Sequence, residues 1–97
     1  MRKIEQQMLA AIQSRKFWIG GNTCVDIVNN DNPNGLRAEI FLHGNHIADY
    51  WYRDGKLDVD SRTLAEWPTP TTKSRLRALG AQVYTKNHTV YLDGQPI

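Results

Sequence analysis

A period-two alternation of apolar and polar residues recurs between residues 23 and 59, and it constrains the fold of this chain most strongly. It predicts strands at 23–28 and 36–42, separated by a turn over residues 29–35. Two more strands are predicted on either side of Asp54–Gly55, which completes a four-stranded antiparallel meander. Because neighbouring side chains on a strand point to opposite faces, one face of the meander is apolar and packs on a core.

The two later turns of the meander set its register. An Asp-Gly pair is typical of a two-residue hairpin turn, which would place Tyr52 opposite Leu57. A three-residue loop over residues 43–45 would place Ile40 opposite Ala48 and keep the apolar residues on one face. A two-residue turn would instead put an aspartate among them. Since a slip of one residue moves every side chain to the other face, we predict the three-residue loop.

The reverse face of the meander mixes apolar and charged residues. In the predicted register Phe41 lies opposite Ile47, and Trp51 lies farther along the same face. Glu39 and Asp49 face each other, which is unfavourable unless a basic group is near. The strip of Phe41, Ile47 and Trp51 is either covered by another element of the chain or forms an interface, and the sequence leaves both alternatives open.

Helices are predicted before and after the meander. Apolar residues at helical spacing predict an amphipathic helix over residues 3–15. The two prolines that follow Trp67 exclude a regular helix or a central strand. A short basic helix over 72–79, capped by Thr71 or Thr72, comes next. A final hairpin is predicted over residues 83–92.

Length and composition indicate one small domain. The 97 residues suit a single α+β domain over 1–97, with little room for a deep active-site cleft. The net charge of +2 is too weak to indicate nucleic-acid binding by itself. The single cysteine, Cys24, excludes an intrachain disulfide, and no apolar run approaches the ~20 residues that span a bilayer. We therefore expect a bacterial cytoplasm and no membrane partner.

The sequence contains no set of residues that predicts catalysis or a cofactor. His43 and His46 form an H-x-x-H around a turn. A zinc site needs three or four convergent ligands, and the third would have to be His88, Cys24 or Asp49. The sequence around Cys24 also matches no motif of a cysteine enzyme. We therefore expect no enzymatic activity, no cofactor and no metal ion.

The basic helix is the candidate nucleic-acid-binding element. It carries Lys73, Arg75 and Arg77, and the hairpin that follows carries Lys86 near its tip. Cationic residues early in a helix oppose the helix dipole, so a carboxylate or another anion should lie near them. Exposed backbone N–H groups at the start of the helix could bind phosphate.

The N-terminal amphipathic helix and two stretches of the chain resemble small proteins encoded by tailed bacteriophages of enteric bacteria. The two stretches are the Leu-His-Gly-Asn-x-Ile-Ala stretch at 42–48 and the Trp-x-Thr-x-Thr-Thr-Lys-Ser-Arg-Leu stretch at 67–76. The resemblance covers most of the chain and implies a phage origin more than a mechanism.

We therefore predict a small phage accessory protein that acts by stoichiometric binding in the host cytoplasm. Its partner would be a host protein or host-defence complex, which it inhibits or redirects. Because aromatic anchors dominate interfaces, the candidate contacts are Phe41, Ile47, Trp51 and Trp67. The alternative is a nucleic-acid-binding protein that uses the basic helix and the last hairpin. A homodimer is a further expectation, because so small a sheet has exposed edges.

Overall fold

A computed structural model describes residues 1–29 and 35–97 and has an α+β fold. The helices of this part are α1 (Lys3–Ser14), α2 (Ser61–Glu66) and α3 (Pro70–Ala78). The strands are β1 (Trp18–Gly20), β2 (Thr23–Asn29), β3 (Leu36–Leu42), β4 (Asn45–Trp51), β5 (Lys56–Val59), β6 (Val83–Lys86), β7 (Thr89–Leu92) and β8 (Gln95–Pro96). Positions 30–34 of the turn predicted over 29–35 lie outside the described residues.

The strands form two antiparallel sheets, in the orders β1-β2-β3-β4-β5 and β6-β7-β8. The N-terminal helix, the meander, the short basic helix and the C-terminal hairpin are confirmed, but each sheet has one strand more than predicted. The extra strands β1 and β8 contain three and two residues. Segments this short show no alternation that a sequence could reveal.

The β3–β4 hairpin has the predicted register far from its turn, but the residues next to the turn pair differently from the prediction. Ile40 pairs with Ala48, as predicted. The turn itself contains only His43 and Gly44, whose φ angles of 52° and 79° suit a two-residue turn of type I′. The predicted three-residue loop is therefore wrong, and a β-bulge at Ile47 supplies the extra residue that restores the register.

The bulge turns the Ile47 side chain into the core. Phe41 pairs with His46 rather than with Ile47, and Ile47 is 2% exposed. Both Ile47 and its neighbour Ala48 are buried, because a bulge interrupts the alternation of faces. The Asp60 N–H donates to the Ile47 carbonyl at 2.9 Å, which holds the bulged segment to the end of β5. The prediction that Ile47 lies on the reverse face is therefore wrong.

The β4–β5 connection is longer than predicted. Tyr50, not Tyr52, pairs with Leu57, and the Gly55 N–H donates to the Trp51 carbonyl at 2.9 Å across a four-residue loop. The predicted register is thus wrong by two positions. A shift by an even number leaves every side chain on its predicted face, so the apolar face is unchanged.

Helix α3 begins two residues earlier than predicted. Pro70 occupies its first turn, and Thr69 is the N-cap, whose Oγ1 accepts a hydrogen bond from the Thr72 N–H at 3.1 Å. Both predicted caps, Thr71 and Thr72, instead lie inside the helix, and Thr72 is buried. At the other end Gly80 has a φ of 107°, and the Ala81 N–H reaches back to the helix in a Schellman arrangement.

The core lies between one face of the five-stranded sheet and the helices. The sheet contributes the alternating side chains around Ile40, and the helices contribute Met8 and Ile12 from α1, Leu64 from α2 and Leu76 from α3. Phe41 and Trp51 belong neither to this buried cluster nor to the residues packed against it. No described helix therefore covers the reverse face. Separately, no described helix is long and apolar enough to cross a membrane.

Candidate functional site

The face of the five-stranded sheet that points away from the core is the candidate site, and we call it the open face. Strand pairing aligns its side chains in three rows across the strands. The row nearest the β3–β4 turn contains Ile19, Cys24, Phe41 and His46. The middle row, which we call the acidic row, contains Asp26, Glu39, Asp49 and Asp58. The third row contains Val28, Arg37, Trp51 and Lys56.

The acidic row places four carboxylates side by side on four adjacent strands. Neighbouring strands are about 4.8 Å apart, so the row extends over about 14 Å. Like charges that face each other directly across strands are destabilising unless cations lie near. The row therefore requires positive charge from its surroundings.

His46 supplies part of that charge. Its Nε2 lies 2.8 Å from Asp49 Oδ1 and its Nδ1 lies 2.9 Å from Asp60 Oδ2, so the protonated ring donates to both carboxylates. Burial of the ring disfavours its charged form, but the hydrogen bonds to Asp60 and Asp49 outweigh burial and raise the pKa of His46. The hydrogen bond from His46 in turn lowers the pKa of Asp60.

Arg37 supplies further positive charge and connects the acidic row to Trp51. Its Nη2 donates to Glu39 Oε2 at 3.3 Å, and its guanidinium carbon lies 5.3 Å from the centre of the Trp51 ring. This is a cation–π geometry. Arg37 Nη1 is buried and has no hydrogen-bond partner among residues 1–29 and 35–97. The basic group that the sequence required near Glu39 is thus present.

The four predicted protein-contact residues do not share one surface. Phe41 and Trp51 are half-buried on the open face, on either side of the acidic row. Ile47 lies in the core. Trp67 is 56% exposed and follows α2, where it lines a cleft of about 250 Å³ together with Leu42 and Ile47. The structure therefore brings Phe41 and Trp51 together on the open face, and Ile47 and Trp67 together in a separate cleft.

Arg75 is buried, which contradicts its predicted role as a phosphate contact. It is 3% exposed, and its Nη1 donates to Glu5 Oε2 at 2.7 Å while its Nε donates to Thr23 Oγ1 at 3.0 Å. The Ser74 hydroxyl donates to the same Glu5 oxygen at 2.7 Å. Burial opposes ionisation of Glu5, but the hydrogen bonds from Ser74 and Arg75 outweigh it and lower the pKa of Glu5. Glu5 is the carboxylate expected near the basic helix.

The other three predicted phosphate contacts lie at the junction of α3 and the second sheet. Lys73 Nζ donates to Thr85 Oγ1 at 2.6 Å, and Arg77 Nε donates to the Val83 carbonyl at 2.7 Å. Lys86 is exposed near the tip of the β6–β7 hairpin. Two of these three cations thus hold the helix against β6, and a concentrated basic patch does not form around Arg75.

The open face also brings together three side chains of types that bind metal ions. The ligand atoms of Glu39, His46 and Asp49 all lie within 4.8 Å of one another. His43 is exposed in the turn, so the H-x-x-H pair does not converge. Cys24 is not part of this group, and burial raises the pKa of its thiol.

Sequence reasoning placed Glu39 opposite Asp49, but it missed the extension of the acidic row to Asp26 and Asp58 and the contact between His46 and Asp60. The signal for the row was present, because Asp26, Glu39, Asp49 and Asp58 all occupy polar positions of alternating strands. The contact of His46 could not be found, because it depends on the bulge that follows it.

A family model described as Kyanoviridae Gp96 protein, which represents a phage protein family, matches residues 1–97. No curated protein and no solved structure gives a significant match to the chain. The family match confirms the predicted phage origin, while the two sequence stretches and the enteric hosts of the resemblance gain no support from it.

Proposed function

The chain belongs to the Kyanoviridae Gp96 family of phage proteins, and on this premise we propose that it binds a host protein stoichiometrically through the open face. Binding would inhibit or redirect that protein, or a host-defence complex that contains it, in the host cytoplasm. The observation that supports this proposal is the open face itself, which combines aromatic and charged side chains and is covered by no described helix.

The aromatic side chains of this face suit a protein partner. Trp51 and Phe41 are half-buried, so each is already held by its neighbours and loses little freedom on binding. Tryptophan and arginine are enriched among the residues that dominate binding energy, and here Arg37 lies over the Trp51 ring. A partner that covers this pair would exclude water from a cation–π contact, which strengthens it.

The charges of this face favour a partner with a basic surface. The acidic row and Asp60 provide five carboxylates, whereas the cations that share the face are Arg37, Lys56 and protonated His46. Carboxylates therefore outnumber cations on this face, although the whole chain has a net charge of +2. Complementary charge increases association rates and rejects acidic partners, so we expect lysine and arginine side chains on the partner.

The homodimer is a separate proposal, which the edges of the larger sheet support. β1 leaves an unpaired edge beside Ile19, which is 62% exposed, and β5 leaves another at the opposite side. Light scattering coupled to gel filtration measures the oligomeric state, and a monomer over the accessible concentration range would exclude pairing through these edges.

The experiment that tests the function is affinity capture from host cells, followed by a binding isotherm with the captured protein. Asp58→Lys reverses an exposed charge of the acidic row, and Glu66→Lys makes the same change on α2 as a matched control. We expect Asp58→Lys to weaken binding at least tenfold and Glu66→Lys to leave it unchanged. Equal effects of the two variants would contradict the open face as the interface.

The nucleic-acid alternative predicts a different result in the same assay. If nucleic acid is captured, its binding should fall steeply with salt and should depend on Lys73, Arg77 and Lys86. Binding that disappears in Arg77→Ala with Lys86→Ala but survives Asp58→Lys would replace the protein-binding proposal with the alternative.

A further inference from the structure

We propose that Glu39, His46 and Asp49 form a binding site for a divalent transition-metal ion on the open face. Each offers one ligand atom, and these atoms lie within 4.8 Å of one another. The three residues lie on two paired strands, and Glu39 is directly opposite Asp49. His46 lies on the same strand as Asp49, on the other side of the bulge at Ile47. The test of this site does not require the proposed protein partner, because metal binding can be measured on the isolated chain.

The distances suit coordination after small side-chain rotations. Zinc binds histidine nitrogen and carboxylate oxygen at about 2.0–2.2 Å, so two ligand atoms of a tetrahedral site are about 3.4 Å apart. His46 Nε2 and Asp49 Oδ1 are 2.8 Å apart, and therefore need only to separate slightly around an ion. Glu39 contacts Arg37 through Oε2, which leaves its Oε1 for the metal.

Asp60 holds the His46 ring in the orientation that a metal ligand needs. Its Oδ2 accepts the Nδ1 hydrogen at 2.9 Å, so Nε2 points toward Glu39 and Asp49. A carboxylate that binds the far nitrogen of a ligating histidine is a recurrent feature of metal sites, and it increases the basicity of the ligand. On binding, the ion would replace the proton that Nε2 shares with Asp49, and that proton would pass to solvent.

The ligand set and its surroundings restrict the kind of ion. One imidazole and two carboxylates suit Zn²⁺, Co²⁺, Mn²⁺ or Fe²⁺ better than Mg²⁺ or Ca²⁺, which prefer sites made of oxygen alone. Asp26 faces Glu39 and Asp58 faces Asp49 from the neighbouring strands. Their charges attract a dication, and three protein ligands leave coordination positions for water or for a group of a partner.

The test is titration of the purified chain with Co²⁺, followed by visible absorption, and with Zn²⁺, followed by calorimetry, near neutral pH. We expect one saturable site in the native chain. His46→Ala and Asp49→Asn should abolish the Co²⁺ spectrum, whereas the matched controls His43→Ala and His88→Ala should retain it. Asp60→Asn keeps a side chain that can cap α2, and it should weaken the affinity about 10–100-fold.

Three outcomes would overturn the proposal. One is the absence of saturable binding in the native chain. Another is binding that survives His46→Ala and disappears in His43→Ala or His88→Ala, since the ion would then bind an exposed histidine. Far-ultraviolet circular dichroism of each variant shows whether it is folded, and a folded Asp49→Asn variant that binds as tightly as the native chain would also exclude the site.

Discussion

Replacement of Arg75 by alanine tests the buried ion pair that connects α3 to α1. The side chains of Arg75 and Glu5 are 3% and 4% exposed, and Arg75 Nη1 lies 2.7 Å from Glu5 Oε2. The substitution removes this bond and those to Thr23 and Asn22, and it leaves the Glu5 carboxylate buried with the Ser74 hydroxyl as its remaining side-chain donor.

The expected loss follows from those bonds. A hydrogen bond to a charged group contributes about 1.5–3 kcal/mol, and the neutral acceptor Thr23 adds about 1 kcal/mol. Removal of one partner of a buried pair costs about 3–5 kcal/mol, because the other charge stays buried without compensation. We therefore expect Arg75→Ala to reduce the free energy of unfolding by about 4 kcal/mol, a large part of the ~5–15 kcal/mol typical of a domain.

Urea denaturation followed by tryptophan fluorescence measures this loss. Arg62→Ala is the control, because Arg62 is 89% exposed and its ion pair with Glu66 lies at the surface, and it should cost much less. Glu5→Leu combined with Arg75→Leu should recover most of the stability, since no unpaired charge remains. A loss below about 1 kcal/mol in Arg75→Ala would refute the reasoning, because a solvated arginine behaves in that way.

Further substitutions and pH test other parts of the account. The pKa of Glu5 is lowered in the folded state, so ionised Glu5 stabilises the fold at pH values above its unfolded pKa. This stabilisation is lost as pH falls through the folded-state pKa. Glu5→Gln should therefore flatten the acid side of a profile of unfolding free energy against pH. Ile47→Ala should reduce the free energy of unfolding by about 2–5 kcal/mol in urea, and Phe41→Ala should cost less, since only Ile47 is in the core. Thr69→Ala should lower it by about 1 kcal/mol through loss of the N-cap, whereas Thr71→Ala should not.

The antiparallel sheet and its apolar face were predictable from local patterns. Alternation in β3 and the need to keep Ile40 with the apolar residues of β4 were enough to pair Ile40 with Ala48. The error in the β4–β5 turn left the predicted face of each side chain correct, because it was a shift of two positions. The bulge was harder to foresee, although the adjacent apolar pair Ile47–Ala48 already departs from strict alternation.

The burial of Arg75 also had a signal in the sequence. One helical face of the basic helix, with spacing i, i+3, i+4 and i+7, contains Thr72, Arg75, Leu76 and Leu79. On α1, Glu5 lies three residues before Met8 and therefore on the same face as Met8. One charged residue of each sign within two apolar stripes predicts a buried pair. What could not be predicted is that these two stripes meet, because the approach of α1 and α3 depends on packing between residues 70 positions apart.

The central claim, that the open face binds a protein, is tested most directly by the affinity of Trp51→Ala for the captured partner. Tyr84→Ala is the control, because Tyr84 is an exposed aromatic residue of the second sheet. Loss of a central tryptophan typically costs at least 2 kcal/mol, so we expect the dissociation constant of a folded Trp51→Ala variant to rise about 30-fold or more, with no change for Tyr84→Ala. An unchanged dissociation constant for Trp51→Ala, or an equal rise for Tyr84→Ala, would contradict the claim.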